Sequence, residues 1–91
     1  MAIYAVRYTY TDDLDALAEI RPAHREFLKS LFDQGNLLAS GPLEGNGALL
    51  IVDADDAVGA LAAVDADPFN SACLIADREV LEWTQIYGPW A

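Results

Sequence analysis

A chain of 91 residues with 54% hydrophobic content can fill one core and is too short for two. Fifteen acidic side chains against five Lys plus Arg leave a net charge of −10, which disfavours nucleic acid and anionic membrane surfaces as partners. The lone Cys73 permits neither an intrachain disulfide nor a cysteine-based zinc site, and its expected state is a buried, apolar-like thiol.

Residues 2–10 (AIYAVRYTY) are β-branched and aromatic and predict a strand, with Tyr4, Val6, Tyr8 and Tyr10 on one face and Ile3, Ala5, Arg7 and Thr9 on the other. Arg7 is then an internal cation, either salt-bridged or in contact with an anion. Thr11 and Asp12 are the expected caps of a helical stretch 13–20, and Pro22 suits the first turn of a new or restarted helix. From there to Gln34, His24, Leu28 and Leu31 fall at i, i+4 and i+7, and Gly35 is a natural stop. His24 is therefore expected at the edge of the buried face, near a helix start.

Residues 36–40 predict a short strand that breaks at Gly41-Pro42, followed by a turn over 43–47 in which Asn46-Gly47 is a hairpin signal. The continuous apolar run 48–52 predicts a strand covered on both faces. Asp53–Asp56 precede a helix expected from Ala57 to Ala66, which Asp67-Pro68 ends because the residue before proline avoids the α region. Residues 69–75 read as a further short turn of helix, and 78–87 as a last strand.

The order β-α-β-β-α-β in one domain is the ferredoxin-like α+β arrangement, a four-stranded antiparallel sheet with both helices on one face. The Tyr and Trp residues of the first and last strands are expected to make the other face too apolar to stay wet. Two sheets meeting face to face in a homodimer is the expected solution. The start Met1-Ala2-Ile3-Tyr4 has no charged segment leading into an apolar one, and no run approaches the ~18 apolar residues of a membrane span, so the expected location is cytoplasmic.

His24 is the single histidine, the side chain suited to exchange a proton near neutral pH. Helices lying side by side on the sheet would let Asp67 reach the His24 ring, fix its tautomer and raise its basicity, with Pro68 holding the backbone and Phe69 as an apolar wall. The plainer alternatives are a structural histidine and an Asp-Pro that only stops a helix. Arg21 and Arg25 are either solvated or paired with Glu19 and Glu26, or form a clamp for a substrate carboxylate. Gly41-Pro42 is either a strand-ending turn or the border of a pocket. One histidine without a second soft ligand argues against a transition-metal site. Gly45-Asn46-Gly47 lacks the lysine and helix context of a phosphate loop. Neither a metal nor a cofactor is expected.

Arg21-Pro22-Ala23-His24, then Gly35 and Leu37 leading to Gly41-Pro42, then Ala66-Asp67-Pro68-Phe69 resemble in order and spacing the YciI-like (YCII-related) proteins, across essentially the whole chain. The resemblance implies a ferredoxin-like protomer that pairs into a dimeric α+β barrel, and a pocket in which His24 and Asp67 form a catalytic pair. Where such proteins often carry Ala-Gly after the Asp-Pro-Phe motif, this chain has Ala72-Cys73, a thiol that would either reshape the pocket or simply pack. The family is associated with lyase- and dehydrochlorinase-like steps on small cyclic compounds. The expectation is a cofactor-free lyase or isomerase of a small molecule. His24 and Asp67 would move the proton, and Arg7, Arg21, Gly41, Pro42 and Phe69 would contact substrate. The competing expectation is a non-catalytic dimeric metabolite-binding or accessory module.

Overall fold

The computed structural model of the chain describes residues 2–91. In chain order they form β1 (Ala2–Tyr10), α1 (Leu14–Asp33), β2 (Leu37–Leu43), β3 (Gly47–Ala54), α2 (Ala57–Val64), α3 (Pro68–Ser71) and β4 (Ile75–Glu82). The strands make one antiparallel sheet in the order β2-β3-β1-β4. This is the ferredoxin-like α+β plan, with α3 as an extra turn between α2 and the last strand. Among the described residues no helix is long and apolar enough to cross a membrane.

The period of β1 decides which face the helices cover. Tyr4, Val6 and Tyr8 are buried with Leu50 and Val52 of β3, Leu28 and Leu31 of α1, and Ala60 and Val64 of α2. The tyrosine stripe therefore belongs to the helix–sheet core. It does not line the open face, as the expectation of an aromatic face-to-face contact required. Trp83 likewise lies beyond β4, edge-on to Trp90 at 6.4 Å between ring centroids. By alternation and register the open face carries Ala5, Leu49, Ile51 and Leu81, together with the cross-strand pair Arg7 and Glu79, which are joined by an ion pair.

α1 is one helix of 20 residues and not two, so Pro22 is interior and His24 sits mid-helix, not near a start. An interior proline costs about 3 kcal/mol, but the helix is anchored on both sides of it. Leu17 is buried with Phe69 and Leu74, while Leu28 and Leu31 enter the main core. The cap is Asp13, one residue past the expected pair, and its carboxylate accepts from the Ala16 N–H at 3.1 Å. Gly35 ends the helix at φ +84°, as expected.

β2 does not break at Gly41-Pro42 but runs through it to Leu43. It is an edge strand, where a proline without an N–H is tolerated. At the hairpin tip Gly45 and Asn46 both adopt positive φ (+91° and +67°). Gly47 then passes so close to β1 that a Cβ there would lie 2.3 Å from the Tyr8 carbonyl oxygen. α2 ends two residues earlier than expected, and β4 spans Ile75–Glu82 in place of 78–87. Cys73, at φ +59°, turns the chain out of α3 in time for β4 to start at Ile75. Its thiol is exposed, not buried, and borders no cleft near His24.

Candidate active site

α1, α3 and β1 converge on one carboxylate. Asp67 caps α3 and is fully buried, and its Oδ1 accepts from the Phe69 N–H at 2.9 Å. Tyr8 of β1 donates its hydroxyl to Oδ2 at 3.1 Å. The Nδ1 of His24 lies 2.9 Å from Oδ1 and 2.8 Å from Oδ2. An ionised carboxylate only accepts hydrogen bonds, so Nδ1 carries the proton and donates. Whenever the ring is neutral its lone pair is therefore on Nε2, for which the described residues supply no partner.

Phe69 fixes the other degree of freedom of the imidazole. Its ring stacks on His24 with centroids 4.1 Å apart and planes 17° apart, and Tyr10 packs edge-on against it at 5.1 Å. Burial pushes the Tyr8 hydroxyl well above its ordinary range, and the neighbouring Asp67 charge adds to this. Tyr10 is pushed up to about 12, first by burial and then by Asp67, with Arg21 pulling the other way. Both tyrosines are thus neutral groups beside the carboxylate, and Tyr8 is the one that hydrogen-bonds to it.

On the other side of the ring a cleft of about 310 Å³ opens between α1 and the β2–β3 hairpin. α1 lines it with Arg21, His24, Arg25 and Leu28, which share one helix face at i, i+3, i+4 and i+7. β2 contributes Ser40 to Leu43; the hairpin and β3 contribute Asn46, Gly47, Ala48 and Leu50; Tyr10 closes one end. The wall is held in register at the end of β1. The Tyr10 N–H donates to the Asn46 carbonyl at 3.0 Å, and the Asn46 side chain donates to the Thr11 carbonyl at 2.9 Å.

Of the residues singled out in the sequence, His24 and Asp67 are brought together, and Arg21, Gly41 and Pro42 line the cleft beside them. Phe69 is a wall, as expected, but it stands behind the imidazole at 1% exposure and does not border the cleft. Arg7 is not part of the site: alternation sends it to the open sheet face, where Glu79 neutralises it. Arg25, one of the alternatives weighed with Arg21 as a carboxylate clamp, also lines the cleft; Tyr8, Tyr10 and Asn46 were not singled out from the sequence as site residues. β1 alternation puts both tyrosines on the face that carries Val6, but only the packing of α1 and α2 shows that this is the helix-covered face.

The four-stranded antiparallel sheet in this element order is of the ferredoxin-like α+β class. The YCII-related domain family matches residues 1–84, and the chain belongs to that family. Among solved structures it is similar to 5-chloro-2-hydroxyhydroquinone dehydrochlorinase (TftG) from Burkholderia phenoliruptrix AC1100, determined with 2,5-dihydroxybenzoquinone. That match has 22% identity and a TM-score of 0.77, covering 90% of this chain and 93% of the other. It is also similar to an antibiotic biosynthesis monooxygenase, at 12% identity and TM-score 0.62, covering 96% and 100% of the two chains. Protein Atu4242 from Agrobacterium tumefaciens matches at 16% identity and TM-score 0.56, covering 98% of each chain. No curated protein matches the sequence. At these identities the structural likenesses establish the fold.

Proposed function

We propose that this protein is a small-molecule enzyme that works by proton transfer, with His24 as general base and acid and Asp67 as its positioning partner. The observation that supports this reading is the contact of Nδ1 with both Asp67 oxygens on a ring that borders the cleft. In an elimination, Nε2 takes a proton from an acidic C–H, the C–H electron pair forms the new double bond, and the leaving group departs with its own pair. In an isomerisation the same nitrogen returns the proton to another carbon. Both need a base in the correct tautomer within reach of the substrate. Dehydrochlorination of a small cyclic hydroxy compound is the specific reaction favoured by the likeness to TftG.

The protein is proposed to work as a homodimer through the open sheet face. Leu81 there is 62% exposed, and Ala5, Leu49 and Ile51 continue the apolar surface inward. A monomer in sedimentation at micromolar concentration would contradict this pairing.

The test of the chemistry is proton exchange in D₂O, followed by NMR, on small cyclic hydroxy compounds that include chlorinated hydroquinones. Exchange or chloride release should occur with the wild type and vanish with His24→Gln while the compound still binds. Turnover that survives His24→Gln would overturn the assignment. Binding without turnover in the wild type would favour the accessory-module reading.

A further inference from the structure

The distribution of charge around the cleft points to its ligand. The chain has five Lys and Arg against fifteen Asp and Glu. Three of the five cations are neutralised at once: Arg7 by Glu79, Lys29 by Asp33 and Arg78 by Asp65. The remaining two, Arg21 and Arg25, have no ion-pair partner among the described residues, and both line the cleft of His24. No acidic side chain lines that cleft. Of the alternatives weighed for these arginines, pairing with Glu19 and Glu26 does not occur.

Two like charges one turn apart on a helix repel each other. Arg21 is half-buried and Arg25 exposed, and with no carboxylate lining the cleft both guanidinium groups are free to take a negative charge there. Guanidinium forks match planar oxyanions in a bidentate manner. The facing wall carries apolar Pro42, Leu43 and Leu50 beside Ser40 and Asn46, Leu28 extends the apolar surface on the α1 side, and about 310 Å³ is the lower end of the size of small-molecule sites. The acidic surface as a whole repels anions, but charges beyond about 8 Å are screened at physiological salt while the two arginines act at contact.

We infer that the cleft binds a small ring compound carrying an oxyanion, a carboxylate or an ionised ring hydroxyl, with Arg21 and Arg25 holding the charge. Its ring lies against the apolar wall. This rests on the proposed function only in using the same cleft, and it names the substrate class that reading leaves open. The charge would also orient the ring relative to Nε2 of His24, since Arg21 and Arg25 flank that residue on α1.

The test is calorimetric titration of the full chain with benzoate, salicylate, the neutral isostere benzamide and inorganic phosphate. At least one of the two aromatic anions should bind, with benzamide about tenfold weaker or worse, the loss of one charge-assisted contact. Arg21→Gln and Arg25→Gln should each weaken the anion about tenfold without lowering the unfolding midpoint. Arg7→Gln removes the same charge outside the cleft and should leave binding unchanged. His24→Gln should retain anion binding, so loss of turnover in that variant is separable from loss of the anion site. The inference fails if neither anion binds at millimolar concentration, if benzamide binds equally, or if the two cleft arginine variants bind like wild type. It also fails if phosphate alone matches the aromatic anions, since the ring would then contribute nothing.

Discussion

Removing the carboxylate of Asp67 is the perturbation with the largest calculable consequence. Three donors end on it: the Nδ1–H of His24, the hydroxyl of Tyr8 and the N–H of Phe69. All three donor residues are buried, at 6%, 1% and 1% exposure. A buried donor without an acceptor costs about 1–3 kcal/mol, so Asp67→Ala has a gross cost of about 3–9 kcal/mol. Water entering the vacated volume recovers part of this, and about 3–5 kcal/mol is expected, the range for breaking a buried pair. A chain of this length has about 5–14 kcal/mol in total, so the variant should sit near the edge of folding. Asp67→Asn keeps the shape. Its amide oxygen still accepts from Phe69, while its NH₂ can donate to an Nδ1 that has lost its proton to Nε2. It should lose only about 1–2 kcal/mol, yet place the histidine in the wrong tautomer. Urea unfolding followed by far-UV circular dichroism measures both. A loss below about 1 kcal/mol for Asp67→Ala, or equal losses for the two variants, would refute the account of Asp67 as a saturated buried acceptor.

Other outcomes follow from the same structure. Gly47→Ala puts a Cβ 2.3 Å from the Tyr8 carbonyl oxygen, so β1 and β3 must separate there; a loss of about 2–3 kcal/mol in the same unfolding assay is expected. Cys73→Gly should stabilise by up to about 1 kcal/mol, because the cysteine holds φ +59° with an exposed thiol and glycine adopts that conformation freely. Stability should fall above pH ~10. Tyr8 and Tyr10 have native pKa values raised above the unfolded one, so their contribution is complete below the unfolded value and is lost as pH rises through the native ones. The slope is at most about 1.4 kcal/mol per pH unit for buried Tyr8 and a fraction of that for half-exposed Tyr10. Urea midpoints between neutral and strongly alkaline pH, compared with Tyr8→Phe, check it; a flat profile would contradict the burial of Tyr8 against Asp67.

Much of the site was legible because it rests on periodicity. The i, i+4, i+7 stripe put His24, Leu28 and Leu31 on one buried face, and alternation along β1 separated Arg7 from Tyr8. What escaped was settled by contacts between distant segments. Pro22 reads locally as a helix start, and only the burial of Leu17 on one side and Leu28 on the other keeps α1 continuous. Gly41-Pro42 reads as a break, and only the edge position of β2 allows the strand to pass through it. Which face of β1 the helices would take is not written in β1 itself, so the tyrosines were assigned to the wrong side of the sheet. Arg25 was visible beside Arg21, but that both would stay unpaired and border the cleft depended on where the β2–β3 hairpin folds.

The central claim is that Asp67 holds the only histidine with its proton on Nδ1 and its lone pair on Nε2 toward the cleft. Because the chain has one histidine, ¹⁵N NMR of the imidazole reads this without ambiguity. In spectra taken at a pH where the ring is neutral, the wild type should be protonated at Nδ1 and Asp67→Asn shifted to the Nε2–H form. A wild-type ring protonated at Nε2, or one indifferent to that substitution, would contradict it.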